Sequence, residues 1–218
     1  MTGGVGDAAG PAARWLTGVG HAVWAYDSLS VGHRAAALPG RLIVGELTDE
    51  ARLQAALKEH SIEAVMHFAS NSLVGESRLN PSKYFQNNVV GGRNLLDATV
   101  AAGTRKFVFS STCATFGLPD RVPIDETVPQ RPINPYGESK LVFGRGLQGS
   151  HRLDGLECVA VRYFDAAGAS ARFGGHHRIE AHLIPNVLEV ARGQKPHCEI
   201  FGTDYPTRDS TCSQDYVH

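Results

Sequence analysis

Short apolar runs alternate with longer amphipathic stretches along most of this 218-residue chain, and that alternation restricts the fold more than any other feature. The runs at 21–27 (HAVWAYD), 41–47 (RLIVGEL), 64–70 (AVMHFAS), 105–111 (RKFVFSS) and 158–164 (CVAVRYF) have the length and apolar content of buried strands. Between them, 48–60 opens on a helix start signal and keeps amphipathic spacing. Helices are also expected over 81–103, from Tyr136 to Gln148, and over 183–193. Strand and helix in succession predict an α/β fold, a doubly wound parallel sheet with helices on both faces. Ligands of such sheets bind beyond the carboxyl ends of the strands. The chemistry is therefore expected just after Asp27, Glu46, His67, Ser111 and Arg162.

The chain opens MTGGVGDAAG. A glycine turn between a strand and a helix lets backbone amides cradle a phosphate, so these glycines are either such a cradle or a loose end. Asp27 follows Gly6 by 21 residues and ends the next strand. A carboxylate there accepts hydrogen bonds from an adenosine ribose; the plain alternative is a solvated aspartate starting a turn. Tyr136 and Lys140, in YGESK, are four apart and share a helical face. The ammonium can then lie beside the phenol and favour phenolate, the alternative being an exposed helical pair. Ser110, Ser111 and Thr112 end a strand where that phenol needs a hydroxyl partner, although such hydroxyls also serve simply as hydrogen-bond formers. Found together at the strand ends of one sheet, Asp27, Tyr136 and these hydroxyls favour the chemical reading.

Composition excludes several other classes. With 42% hydrophobic and 20% charged residues and a formal net charge of -1, nothing points to a nucleic-acid or anionic-membrane partner. There is no basic start followed by an apolar run, and no apolar stretch approaches a membrane span. Cys113, Cys158, Cys198 and Cys212 form no C-x-x-C pair, so a reducing, cytoplasmic setting is expected, without a disulfide framework or zinc ribbon. His176, His177, His182, His197 and Cys198 have spacings that fit no recognised site, and no metal is expected.

On its longer words the chain resembles the extended short-chain dehydrogenase/reductase family, most closely its UDP-glucose 4-epimerase branch. The words are TGG-x-G (2–6), YDSLSVGH (26–33), HFAS (67–70), VGES (74–77), NNVVGGRNLL (87–96), FSSTCATFG (109–117), INPYGESK (133–140), RYFDAAGA (162–169), HLIP (182–185) and IFGTDYPTRD (200–209). They span nearly the whole sequence. The resemblance implies a Rossmann-like domain over 1–164 and an incomplete small nucleotide-sugar-binding region over 165–218. It implies that Tyr136 is the general base on the sugar 4-hydroxyl, with Lys140 on the nicotinamide ribose and Thr112 hydrogen-bonded to the same hydroxyl. NAD would lie along Gly3, Gly6, Asp27, Glu46, Phe68, Ala69, Asn87 and Lys140, and a UDP-sugar would meet Tyr163, Phe164, Asp165, His182, Leu183 and Phe201. The implied reaction is NAD-dependent interconversion of UDP-glucose and UDP-galactose through a 4-keto sugar. A homodimer through the helices near 81–103 and 134–148 is implied as well. Relatives that eliminate water carry acidic residues after the Thr; here those positions are Cys113 and Ala114, which argues against a dehydratase.

Some positions depart from the family pattern. Met1 stands where relatives carry a short apolar strand, and an unfilled sheet centre would forfeit roughly 6–12 kcal/mol. Asp7 sits in the glycine turn, either near a phosphate or pointing outward at the helix start, where its charge is favourable. Asp165 and Gln214 replace an Asn and an Arg of the pattern, weakening the expected pyrophosphate contacts. The chain stops at DYVH, before the rest of the small domain. The alternative to an active epimerase is a non-catalytic nucleotide-binding relic, or a fragment of a longer epimerase.

Overall fold

Five parallel strands carry the architecture of a computed structural model that describes residues 1–169, 175, 180–212 and 214–217. The chain divides into two compact units, Met1–Tyr163 and Phe164–His218. In the first unit β1 (Ala25–Asp27) pairs with β2 (Leu42–Val44), while β3 (Ala64–His67), β4 (Lys106–Thr112) and β5 (Glu157–Tyr163) form a second parallel ladder. Thr2 joins the two ladders by bridging Tyr26 on one side and His67 on the other. The Thr2 amide donates to Met66 O at 2.9 Å, and Thr2 O accepts from the Phe68 amide at 3.0 Å. The result is the expected doubly wound Rossmann-like sheet.

Met1 and Thr2 are the part of the chain that occupies the centre of the sheet, between β1 and β3. Met1 O accepts from the Tyr26 amide at 2.8 Å, and the Gly3 amide donates to Tyr26 O at 2.9 Å. The gap left beside them is a cavity of 30 Å³, lined among others by Met1, Trp24, Tyr26, Leu57 and Val65. Trp24 stacks on His60 at 3.7 Å, with the Arg41 guanidinium 5.5 Å above its ring. The strand expected over 21–27 shortens to Ala25–Asp27, the three residues that pair with Leu42–Val44 of β2.

Local signals explain the helices. Helix α1 (Ala9–Gly18) follows the glycine turn, and α2 (Glu50–Glu59) starts where the Asp49 carboxylate accepts from the Arg52 amide at 2.9 Å. After α3 (Val74–Leu79), Asn80 caps α4 (Pro81–Tyr84), which has Pro at its first position. A π-helical segment, Phe85–Gly91, then leads into α5 (Gly92–Ala101), so the helix expected over 81–103 is interrupted by a wider turn. Helix α6 (Pro135–Asp154) starts on Asn134, which accepts from the Gly137 amide at 2.8 Å, and stops at Gly155 with φ +70°. Its inner face sets Phe143 edge-on to Phe109 at 4.6 Å, and Leu147 is buried with it. With Leu53, Leu95, Leu96 and Phe107 these side chains form the core that holds α6 against the sheet.

The second unit holds β6 (Asp165–Ala166) paired in parallel with β7 (Tyr216–Val217), and α7 (Leu183–Ala191). No helix among the described residues is long and apolar enough to cross a membrane.

Candidate active site

The glycine turn is built as a close-approach device. Gly3 has φ +64°, and a Cβ there would lie 2.6 Å from the Ala69 nitrogen, so only glycine fits against the loop after β3. The Gly6 amide donates to Gly3 O at 3.1 Å and closes the turn. Asp27, buried at the end of β1, accepts from the Val5 amide at 3.3 Å through Oδ2 and from the Leu29 amide at 2.8 Å through Oδ1. Gly3, Gly6, Asp27, Phe68 and Ala69 are thus gathered at the carboxyl ends of the central strands. Asp7 is exposed. Glu46 is also exposed beyond β2, where its carbonyl accepts from the Tyr26 hydroxyl at 2.9 Å.

The strand end of β4 and the first turns of α6 bring the second group together. Thr112 is buried, and its hydroxyl bonds the Tyr136 phenol. Thr112 Oγ1 also accepts from the Ala114 amide at 3.1 Å, and Thr112 O accepts from the Thr115 hydroxyl at 2.9 Å, so the rotamer is held. Lys140, only 4% exposed, donates from Nζ to Ser110 O at 2.7 Å and lies 5.9 Å from the centre of the Tyr136 ring. Ser111 is buried beside them on β4.

The electrostatics differ from the expectation. Burial raises the Tyr136 phenol above its ordinary value, and the Thr112 hydrogen bond only partly opposes it. Lys140 is itself pushed down to about 7 by burial. Sharing a helical face brought the two side chains close, but the ammonium is turned onto the Ser110 carbonyl and its charge is held back by desolvation. His67, the last residue of β3, is a core residue. Its ring sits between Phe109 (5.9 Å) and Phe143 (5.2 Å), Nδ1 meets the Thr2 hydroxyl at 2.8 Å, and burial depresses its pKa to about 3.

Asn87 lies half-buried in the π segment, and its Nδ2 donates to Asn88 Oδ1 at 2.9 Å. Tyr163 ends β5 opposite Thr112. The remaining expected sugar contacts belong to the second unit. Asp165 pairs with Tyr216, and burial raises its carboxyl. His182 meets the Glu180 carboxylate at 2.6 Å, Leu183 opens α7, Phe164 is half-buried and Phe201 is 79% exposed. His176 and His177 lie outside the described residues, and no metal-binding group of three or more side chains occurs among the described ones. The four cysteines are free thiols. Sequence reasoning passes over Asn88 and Ser139; the doubled Asn at 87–88 and the Ser inside YGESK are their only signals.

Fold and turn together define the class: a Rossmann-type α/β protein with a glycine turn and a Thr–Tyr–Lys cluster at its strand ends. The sequence pattern of the NAD dependent epimerase/dehydratase family matches residues 1–218, and the chain belongs to that family. It is 44% identical over 220 residues to a UDP-glucose 4-epimerase of Rhizobium meliloti (strain 1021), covering 100% of this chain and 67% of that protein. Its fold matches the Brucella ovis UDP-glucose 4-epimerase in complex with NAD at a TM-score of 0.96 and 43% identity, covering 100% of this chain and 67% of that one. The Bifidobacterium longum UDP-glucose 4-epimerase in complex with NAD+ and UDP matches at 0.94 and 32% identity, covering 100% and 69%. The chain therefore spans about two thirds of the length of these relatives.

Proposed function

We propose that the chain carries the catalytic unit of an NAD-dependent epimerase that interconverts UDP-glucose and UDP-galactose at the sugar 4-position. The observation that carries this reading is the Thr112–Tyr136–Lys140 cluster placed at the same sheet edge as the glycine turn. A dinucleotide suits that edge. The cradle at Gly3 excludes any Cβ, and α1 begins on Ala8, whose side chain offers its first-turn amides no partner. Gly3, Gly6, Asp27, Glu46, Phe68, Ala69, Asn87 and Lys140 would hold the cofactor. When bound, NAD supplies hydride transfer at the sugar C4.

The chain's own residues handle the proton. Tyr136 takes it from the 4-hydroxyl as C4 is oxidised and returns it when the 4-keto sugar is reduced on its other face. Thr112 holds the phenol and shares its hydrogen bonding with the 4-hydroxyl. Lys140, poised between charged and neutral, adds positive charge near the phenolate as it forms. Cys113 and Ala114, next to Thr112, provide no second acid and base, which favours epimerisation over elimination of water. Tyr163, Phe164, Asp165, His182, Leu183 and Phe201 are assigned to the nucleotide-sugar. A homodimer through the helices near 81–103 and 134–148 and a cytoplasmic setting belong to the same proposal.

The direct assay is incubation of the chain with NAD and UDP-galactose, in which UDP-glucose is expected; a chain that binds both ligands yet forms none is the non-catalytic relic. Asp27 adds an expectation about the cofactor. A 2′-phosphate would meet its carboxylate, so calorimetry should show NAD binding on the order of tenfold or more tighter than NADP. Equal or tighter NADP binding would overturn the placement of the ribose at Asp27.

A further inference from the structure

Between Gly117 and Asn134 a loop leaves the turn after β4 and returns to the cap of α6. Gln130, half-buried on the returning stretch, donates from Nε2 to Thr115 Oγ1 at 2.9 Å. Thr115 is fully buried in the 3₁₀ turn Cys113–Thr115, and its hydroxyl donates in turn to Thr112 O at 2.9 Å. A hydroxyl has one proton, and this one is committed to the carbonyl, so its lone pairs face the Gln130 amide. Phe116, the next residue, is buried, with the Arg162 guanidinium of β5 5.4 Å from its ring centre.

The stretch from Gln130 to Tyr136, QRPINPY, has little backbone freedom. Pro132 and Pro135 have fixed φ, and each drives the residue before it, Arg131 and Asn134, towards extended backbone. Asn134 is extended, at φ -146° and ψ 155°. A displacement of Gln130 is therefore passed on to Tyr136 and is not absorbed on the way. On the other side, Thr115 follows Thr112 by three residues. Gly137 lies so close to this turn that a Cβ there would be 2.5 Å from Ala114 O. The Gln130–Thr115 bond thus joins the segment ahead of Tyr136 to the turn that follows Thr112.

We propose that Gln130 and Thr115 are positioning residues, whose hydrogen bond sets the distance between the Thr112 hydroxyl and the Tyr136 phenol. This rests on the reading of Tyr136 as the proton carrier. The groups facing the Tyr136 ring are Thr112 and Cys113 from the β4 end, Tyr84 edge-on at 6.4 Å, and Lys140. Of these, Thr112 alone favours phenolate through a hydrogen bond. Releasing Gln130 from Thr115 lets the two segments part and lengthens that bond.

The test compares Gln130→Ala, Thr115→Val, their double variant and Thr115→Ser with the parent. Ionisation of Tyr136 is followed by ultraviolet titration with and without NAD, its step assigned by loss in Tyr136→Phe. Gln130→Ala and Thr115→Val are each expected to raise that step by about half a pKa unit or more, although neither residue titrates. Turnover of UDP-galactose should fall about 5- to 50-fold, with KM changed by less than about threefold. The double variant should be no worse than the more damaging single one, because both remove one connection. Thr115→Ser keeps the hydroxyl and should leave the step in place, with turnover within about twofold of the parent. An unmoved step in Gln130→Ala and Thr115→Val, with turnover within about twofold of the parent, would overturn the proposal. So would a Ser variant as impaired as the Val variant, since packing and not the hydrogen bond would then be at work. Gln130→Ala, a change in a half-buried loop residue, decides the matter if Thr115→Val fails to fold. A parent that shows the Tyr136 step but no turnover refutes the epimerase reading, while the titration still judges the positioning.

Discussion

Changing Tyr136 to Phe is expected to lower conversion of UDP-galactose by about 10²- to 10⁴-fold, the range that a positioned acid–base group contributes. The substitution removes one oxygen and keeps the ring that packs edge-on against Tyr84. The fold should survive, losing only the bond to Thr112, a change of about 1 kcal/mol. NAD affinity, measured by calorimetry, should stay near that of the parent, because the cofactor is assigned chiefly to the glycine turn, Asp27 and the loop after β3. Turnover equal to the parent would remove Tyr136 from the mechanism. A fall in turnover matched by loss of NAD binding would make it a binding residue.

The second large effect concerns stability and has the opposite sign. Lys140→Met is expected to stabilise the ligand-free chain at pH 7 while abolishing its activity. Lys140 is buried, and its pKa falls from an ordinary 10.5 to about 7. The unfolded chain therefore binds the extra proton over that interval. Lys140 carries no charge penalty above about pH 10.5 and its full penalty below about pH 7. At 1.36 kcal/mol per unit the penalty is on the order of 3–5 kcal/mol. Leaving Ser110 O without its partner returns about 1–3 kcal/mol of that gain. The net gain, up to about 4 kcal/mol, corresponds to a rise in Tm of up to roughly 15 °C for a chain of this size. The gain should shrink as the pH is raised from 7 towards 10.5. A Met variant that is no more stable at pH 7, or whose advantage is independent of pH, would show that Lys140 carries no burial cost.

The contrast between these two residues indicates how far the sequence can be read. Residues four apart on a helix share a face, so YGESK is enough to bring Tyr136 and Lys140 to one site. Which way the ammonium points depends on a carbonyl of β4, 30 residues earlier in the chain, and on burial that no local pattern reports. For that reason the lowered phenol pKa expected from the spacing is absent, and burial governs both groups.

The strands show the same division. β4 falls within a residue of its expected span, because an apolar run flanked on both sides by partner strands is dictated by its own composition. β1 is much shorter than HAVWAYD, since its length depends on what lies beside it. Helix α6 extends past both expected ends, to the Asn134–Pro135 start and the Gly155 stop, which are the local signals that bound it. The π segment is not legible. It depends on Asn88 finding Asn71 and Ser139, and those contacts exist only in the folded chain.

The most direct test of the central claim uses UDP-galactose deuterated at C4, incubated with the chain and NAD in ordinary water. If Tyr136 moves only the hydroxyl proton and the hydrogen on C4 is removed and returned without exchange, the UDP-glucose formed should retain the deuterium at C4. Product carrying solvent hydrogen at C4 would mean that the carbon itself is deprotonated, and would contradict the roles of Thr112, Tyr136 and Lys140 in moving only the hydroxyl proton.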